Sequence, residues 1–161
     1  MDQPPLLIAW HSRTGGSEAM ARAAKDGAGH NASILPAVDV QPEHLLGARG
    51  YLFVCPENLA TVSGMMKEMF DRCYYPVLGR IEGRPYATII AAGSDGEGAQ
   101  AQIDRIAKGW RLKRVAEPLI VNFDAQTPEA ILATKHVEHE ALAQCQKIGE
   151  RLAAGLELGV F

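Results

Sequence analysis

Residues 6–20 read Leu6-Leu7-Ile8-Ala9-Trp10-His11-Ser12-Arg13-Thr14-Gly15-Gly16-Ser17-Glu18-Ala19-Met20, and this stretch decides the fold. An apolar run stops abruptly in small hydroxyl and glycine residues, and an alanine-rich segment with helical character follows at once. The pattern predicts a buried parallel strand, a loop the size of a phosphate, and a helix whose free N–H groups point into that loop. Ser12, Thr14 and Ser17 supply hydroxyl donors, and Gly15 and Gly16 let the backbone approach closely. A helix N-terminus carries about half a positive charge, so with Arg13 the counter-charge comes to about 1.5, against nearly −2 on a phosphomonoester. A triphosphate loop of the form G-x-x-x-x-G-K-[ST] is absent, as is G-x-G-x-x-G after the first strand. An ordinary capped turn accounts for one of these hydroxyls, not for three beside two glycines.

Working outward, strands and helices alternate. Ser17 to Ala28 reads as the first helix, Ser33 to Val38 as a second strand with Pro36 favouring a sheet edge, and Pro42 to Gly47 as a brief helix. Tyr51 to Cys55 is a central strand, and Gly64 to Cys73 is a helix with Met65, Met66, Met69, Phe70 and Cys73 in register. Tyr86 to Ala92 is a strand apolar on both faces. The next helix carries Ile103, Ile106, Ala107 and Trp110, Leu119 to Val121 is the fifth strand, and Ala133 to Ala154 is the last helix. The alternation implies an α/β fold with a doubly wound, five-stranded parallel sheet in order 2-1-3-4-5, covered by helices in three layers. Ligands of such folds sit outside the carboxyl ends of the strands. Loops 12–17, 56–63 and 93–98 meet there.

Length and composition limit the function classes. The chain has 161 residues, with 47% hydrophobic and 22% charged residues, a net charge of −3 and a pI near 5.9. These values fit one domain spanning 1–161 and argue against nucleic acid as a partner. No apolar run approaches a membrane span, and three irregularly spaced cysteines favour a reducing cytoplasm over a disulfide framework. Cys55 at a strand end lacks the arginine six residues on that a cysteine phosphatase needs, since Thr61 stands there. His136, His139 and Glu140 match no metal-ligand spacing, so no metal is expected. Lys108, Arg111, Lys113 and Arg114 read as cations closing a helix C-terminus, with a nicotinamide-nucleotide phosphate as the other reading. Arg49, Arg80 and Arg84 read as surface charges.

The loop His11 to Ser17 resembles the FMN-phosphate loop of the flavodoxin-like superfamily, roughly S/T-x-T-G-x-[ST]. Pro56-Glu57-Asn58 with Gly64 and Lys67 is similar to the P-E-x-N…G-x-x-K stretch of NAD(P)H-dependent FMN reductases, without the residue that usually separates Glu from Asn. Gly93-Ser94-Asp95-Gly96-Glu97-Gly98 resembles the glycine-rich segment that quinone-reductase-like members place beside the flavin. The resemblance implies that Ser12, Arg13, Thr14, Gly15, Gly16 and Ser17 hold the phosphate. It implies that Pro56, Glu57, Asn58 and Leu59 line the isoalloxazine, and that Gly93, Ser94, Asp95, Gly96 and Gly98 meet the ring from the other loop. FMN would be the cofactor and NAD(P)H the electron donor, with a quinone, azo compound or flavin as small-molecule acceptor. No catalytic acid or base is called for. Electron-carrying flavodoxins are strongly acidic and sandwich the ring between aromatics. This chain is nearly neutral and has no aromatic in loops 56–63 and 93–98, which favours an open ring face and a reductase. A flavodoxin-type electron carrier and a non-enzymatic module binding another phosphate are the alternatives. The resemblance further implies a homodimer or homotetramer, with which the apolar tail Leu156 to Phe161 is compatible.

Overall fold

The computed structural model describes residues 3–161. Strand β1 (Leu6–Trp10) lies between β2 (Ala32–Pro36) and β3 (Gly50–Asn58), and β5 (Pro85–Ala92) follows β3, all parallel. The fifth position is shared by two short strands. β6 (Lys113–Arg114) pairs the start of β5, and β7 (Leu119–Asn122) pairs its end. The order is therefore the expected 2-1-3-4-5, with the last strand interrupted around Pro118, whose missing N–H cannot join a ladder. Pro36 ends β2 on the outer edge of the sheet, where a proline is tolerated.

Alternation along the strands explains the three layers. Leu7, Ala9, Tyr51 and Phe53 face one side and pack with Met66, Met69 and Phe70 of α3 (Gly64–Val77) and Ile103 of α4 (Glu97–Gly109). Leu6, Ile8, Leu52 and Val54 face the other, against Met20 and Ala24 of α1 (Gly16–Ala28) and Cys145 and Leu152 of α6 (His139–Leu158). Successive Cβ atoms point to opposite faces, so a run apolar at every position demands cover on both. The short α2 (Pro42–Gly47) agrees with its expected bounds.

Three expectations are corrected. The last helix does not begin at Ala133. Thr127 and Pro128 instead start a short α5 (Pro128–Leu132), Thr127 Oγ1 accepting from the Ala130 N–H at 3.2 Å, and the chain runs without helix through 133–138 before α6. His136 thus shares no helix face with His139 and Glu140. Helix α3 continues past Cys73 to Val77 with Pro76 inside its last turn, which lets Tyr74 stack on Trp110 at 5.6 Å. Arg84 is not a surface charge: its guanidinium donates to the carbonyls of Leu45 and Leu46 at 3.0 and 2.9 Å, bracing α2. Among the described residues no helix is long and apolar enough to cross a membrane.

Candidate functional site

The parallel strands deliver their carboxyl ends to one edge, and the phosphate-type loop occupies its centre. The His11 N–H donates to the Val54 carbonyl at 3.0 Å, holding the loop's entry on β3. Ser12 Oγ accepts from the Gly15 N–H at 3.0 Å and closes the turn. Gly15 has φ 98°, a left-handed conformation in which a Cβ is costly, and its carbonyl already accepts from the Ala19 N–H. Helix α1 therefore starts at once, and no side chain caps it. Among the described residues the N–H groups of its first turn meet no acceptor. Ser17, 1% exposed, lines the cavity beside the loop, and its buried hydroxyl has no partner among the described residues. Arg13 is exposed, and no carboxylate pairs with it among the described residues. Unspent donors, a buried orphan hydroxyl and a free cation around one spot suit a phosphoryl group.

The second loop is a hairpin. β3 turns at Asn58 and returns as β4 (Thr61–Val62), antiparallel to it. Leu59 and Ala60 at the turn have φ 52° and 65°. Two left-handed residues match the twist of a tight hairpin, but at non-glycine positions they cost about 1–3 kcal/mol each. A clamp to α4 offsets this strain. Glu57 accepts from the N–H groups of Gly96 and Ala99 at 2.8 and 2.9 Å, and Gln102 Oε1 accepts from the Val62 N–H at 2.7 Å. A Cβ on Gly98 would stand 2.1 Å from the Ala60 carbonyl oxygen, so the hairpin seats on α4 only because that side chain is absent. The start of α4 is thus filled by the chain's own carboxylate, whereas that of α1 is open.

Around a cavity of about 60 Å³ the structure brings together Ser12, Arg13, Thr14, Gly16, Ser17, Pro56, Glu57, Asn58 and Gly93. The other expected site residues stand outside its lining. Gly15 shapes the turn, Leu59 projects from the hairpin tip almost fully exposed, and Asp95 is exposed. The Ser94 carbonyl accepts from Asn122 Nδ2 at 2.6 Å, and Gly96 and Gly98 serve the clamp. Sequence reasoning missed Ala91 and Ala92 at the end of β5, and Phe123, Ala125, Ile131 and Lys135 beyond β7, which also line the cavity. Phe123 brings an aromatic to this cavity, against Gly16 of the phosphate loop and not from loops 56–63 or 93–98. An aromatic directly after an apolar strand, followed by Thr127-Pro128, was the signal in the sequence.

Titratable chemistry nearby is muted. His11 Nδ1 lies 2.8 Å from Ser63 Oγ, and burial, then the Arg13 charge, holds the imidazole below its ordinary 6.5. Burial pushes the Cys55 thiol up to about 12, which removes it as a nucleophile. Among the described residues no group of His, Cys, Asp and Glu could hold a metal ion. Lys108, Arg111 and Arg114 line a separate groove with Tyr86, at the opposite, amino edge of the sheet.

Comparisons with known proteins agree with this architecture. The chain superposes on a flavodoxin from the domain Archaea with a TM-score of 0.75 at 15% identity, over 94% of this chain and 98% of that one. A flavodoxin, WrbA-like protein from Agrobacterium tumefaciens gives 0.74 at 14% identity, over 95% and 97%. The flavodiiron protein from Giardia intestinalis gives 0.76 at 18% identity, over 95% of this chain and 36% of the longer one. These likenesses establish the flavodoxin-like fold. No curated protein sequence matches the chain. The family model described as NADPH-dependent FMN reductase matches residues 25–126, from inside α1 through the hairpin, the glycine-rich loop and the end of β7. With well over half its length matched, the chain belongs to the NADPH-dependent FMN reductase family.

Proposed function

We propose that this protein binds FMN at the carboxyl edge of the sheet and uses NAD(P)H to reduce a small acceptor such as a quinone, an azo compound or a flavin. The observation that carries the reading is the partnerless Ser17 hydroxyl beside an uncapped helix start and Arg13, outside the segment that the family model covers. When bound, FMN would supply the electron transfer itself. The protein's part is binding and orientation. Ser12, Thr14, Ser17 and the first N–H groups of α1 would hold the phosphate, with Arg13 adding charge. Ala91, Ala92 and Phe123 line the cavity with an apolar wall that would keep water from the buried part of the ligand. Pro56, Asn58 and Gly93 would offer backbone groups to the polar rim of the ring, and the clamp made by Glu57 keeps the hairpin in place for it.

The test is direct. Apoprotein titrated with FMN should quench its fluorescence, and NADPH or NADH should then bleach the yellow colour until an acceptor restores it. FMN uptake without oxidation of either nicotinamide would instead assign an electron carrier. A protein that takes up no flavin would refute the reading.

A further inference from the structure

The connection from β7 to α6 crosses back over the phosphate loop. Its first end is pinned where the Phe123 and Ala125 N–H groups donate to the Ala92 and Gly93 carbonyls, each at 2.8 Å. Its far end is pinned by Val137, which is buried in the core beneath α1 and α6. Between these pins nearly every residue is exposed, and one backbone bond ties the strap to the loop, from the Lys135 N–H to the Thr14 carbonyl at 2.8 Å. The other contact is steric. A Cβ on Gly16 would stand 3.1 Å from Phe123 Cζ and 3.4 Å from Lys135 Cβ, so strap and loop meet over the bare Cα of Gly16. Asp124, at the start of the strap, holds φ 51° without being glycine. Lys135 Nζ donates to the carbonyls of Ala130, Ile131 and Ala133 at 2.7–2.9 Å and closes the end of α5, which makes the strap one stiff piece.

With the strap in place the cavity is about 60 Å³. That is room for about two waters, whereas pockets that enclose ligands of cofactor size run to roughly 300–1,000 Å³. We propose that residues 123–137 are a latch closed over the phosphate loop, that Phe123 and Lys135 are its catch, and that a phosphorylated flavin enters only when the latch opens. The proposal rests on the flavin reading above. The opening needs two hydrogen bonds broken, those of the Lys135 and Ala125 N–H groups to the Thr14 and Gly93 carbonyls, with the Phe123 N–H bond kept. It also needs one aromatic edge lifted from Gly16 and rotation at Asp124, a motion of the kind that hinges a lid at a few loop residues. Once the ligand is seated, the same two side chains would bear on its phosphate end, so release would be gated as entry is.

Stopped-flow quenching of FMN fluorescence by apoprotein tests this. The observed rate should level off as FMN rises, the ceiling being the opening rate. In Phe123→Ala the ceiling should rise about tenfold, the factor that corresponds to about 1.4 kcal/mol. Hydrogen exchange at the Lys135 amide, measured without flavin, should accelerate by a similar factor in the variant. A rate that climbs linearly with FMN and equally in both proteins overturns the latch and leaves the flavin reading intact. A ceiling that the variant does not move, or unchanged exchange at Lys135, also overturns it. If neither protein quenches FMN, the flavin reading falls and the gate falls with it.

Discussion

Ser17→Ala is the substitution that most sharply separates a ligand-binding hydroxyl from a structural one. In the free protein Ser17 Oγ is buried without a partner, the arrangement that costs about 1–3 kcal/mol relative to a satisfied or absent hydroxyl. Removing it should therefore stabilise the apoprotein, and a gain of about 1 kcal/mol corresponds to roughly 2–4 °C in Tm for a domain of this size. Alanine's better helix propensity acts in the same direction with about 0.5 kcal/mol, so the thermal shift alone does not decide the matter. Ligand affinity does. A hydrogen bond to a charged phosphate is worth about 1.5–3 kcal/mol, so FMN should bind roughly 10- to 150-fold more weakly. Riboflavin has no phosphate, and its affinity should stay within about twofold. Differential scanning calorimetry of the apoprotein and calorimetric titration with both flavins give all three numbers. A variant that melts lower and keeps its FMN affinity would show that the hydroxyl is satisfied within the protein, and the phosphate site would lose its main support.

Arg13→Ala should weaken FMN by about 1–2 kcal/mol, near the lower end for a charged bond because the side chain is exposed, again sparing riboflavin. Equal losses for both flavins would refute the role. Gly98→Ala should destabilise the fold by about 1–3 kcal/mol through displacement of the hairpin from α4, read as a lower midpoint in urea. Apoprotein stability should be full above pH 6.5 and decline as pH falls through the depressed folded value of His11, because the unfolded chain then takes up a proton that the native imidazole refuses. His11→Asn should flatten that part of a Tm-against-pH curve. Cys55 and Cys145, both buried with thiols pushed up to about 12, should resist an aromatic disulfide reagent at pH 8 until the protein is unfolded.

The fold was legible because its strands are apolar at consecutive positions and its helices at every third or fourth, and the two periods hardly overlap. Leu6 to Ala9 and Tyr51 to Cys55 have no polar face to leave in water, so both sides of the sheet had to be covered. What could not be read was the path from β7 to α6. Val137 fits the buried stripe of a helix and equally well anchors an extended segment, and the same spacing serves both. The end of α5 depends on Lys135 reaching back to three carbonyls, a tertiary choice that no local propensity records.

The candidate site shows the same ambiguity in its glycines. A glycine beside a strand end signals that something approaches the backbone closely, but ligand and protein leave an identical mark. At Gly16 the space is taken by Phe123 and Lys135, and at Gly98 by the hairpin, whereas Gly15 is required by its own φ. The glycine-rich loops therefore report first on how tightly three segments converge at this edge. What separates a ligand from a neighbour is the polar accounting. Glu57 consumes the donors at the start of α4, while those at the start of α1, together with Ser17 Oγ, meet no acceptor among the described residues. A buried hydroxyl without a partner is costly to keep but is not by itself a ligand site, since Ser33 Oγ on β2 is unpartnered too. It is the company of Arg13 and an open helix start that sets Ser17 apart and supports the proposed phosphate site.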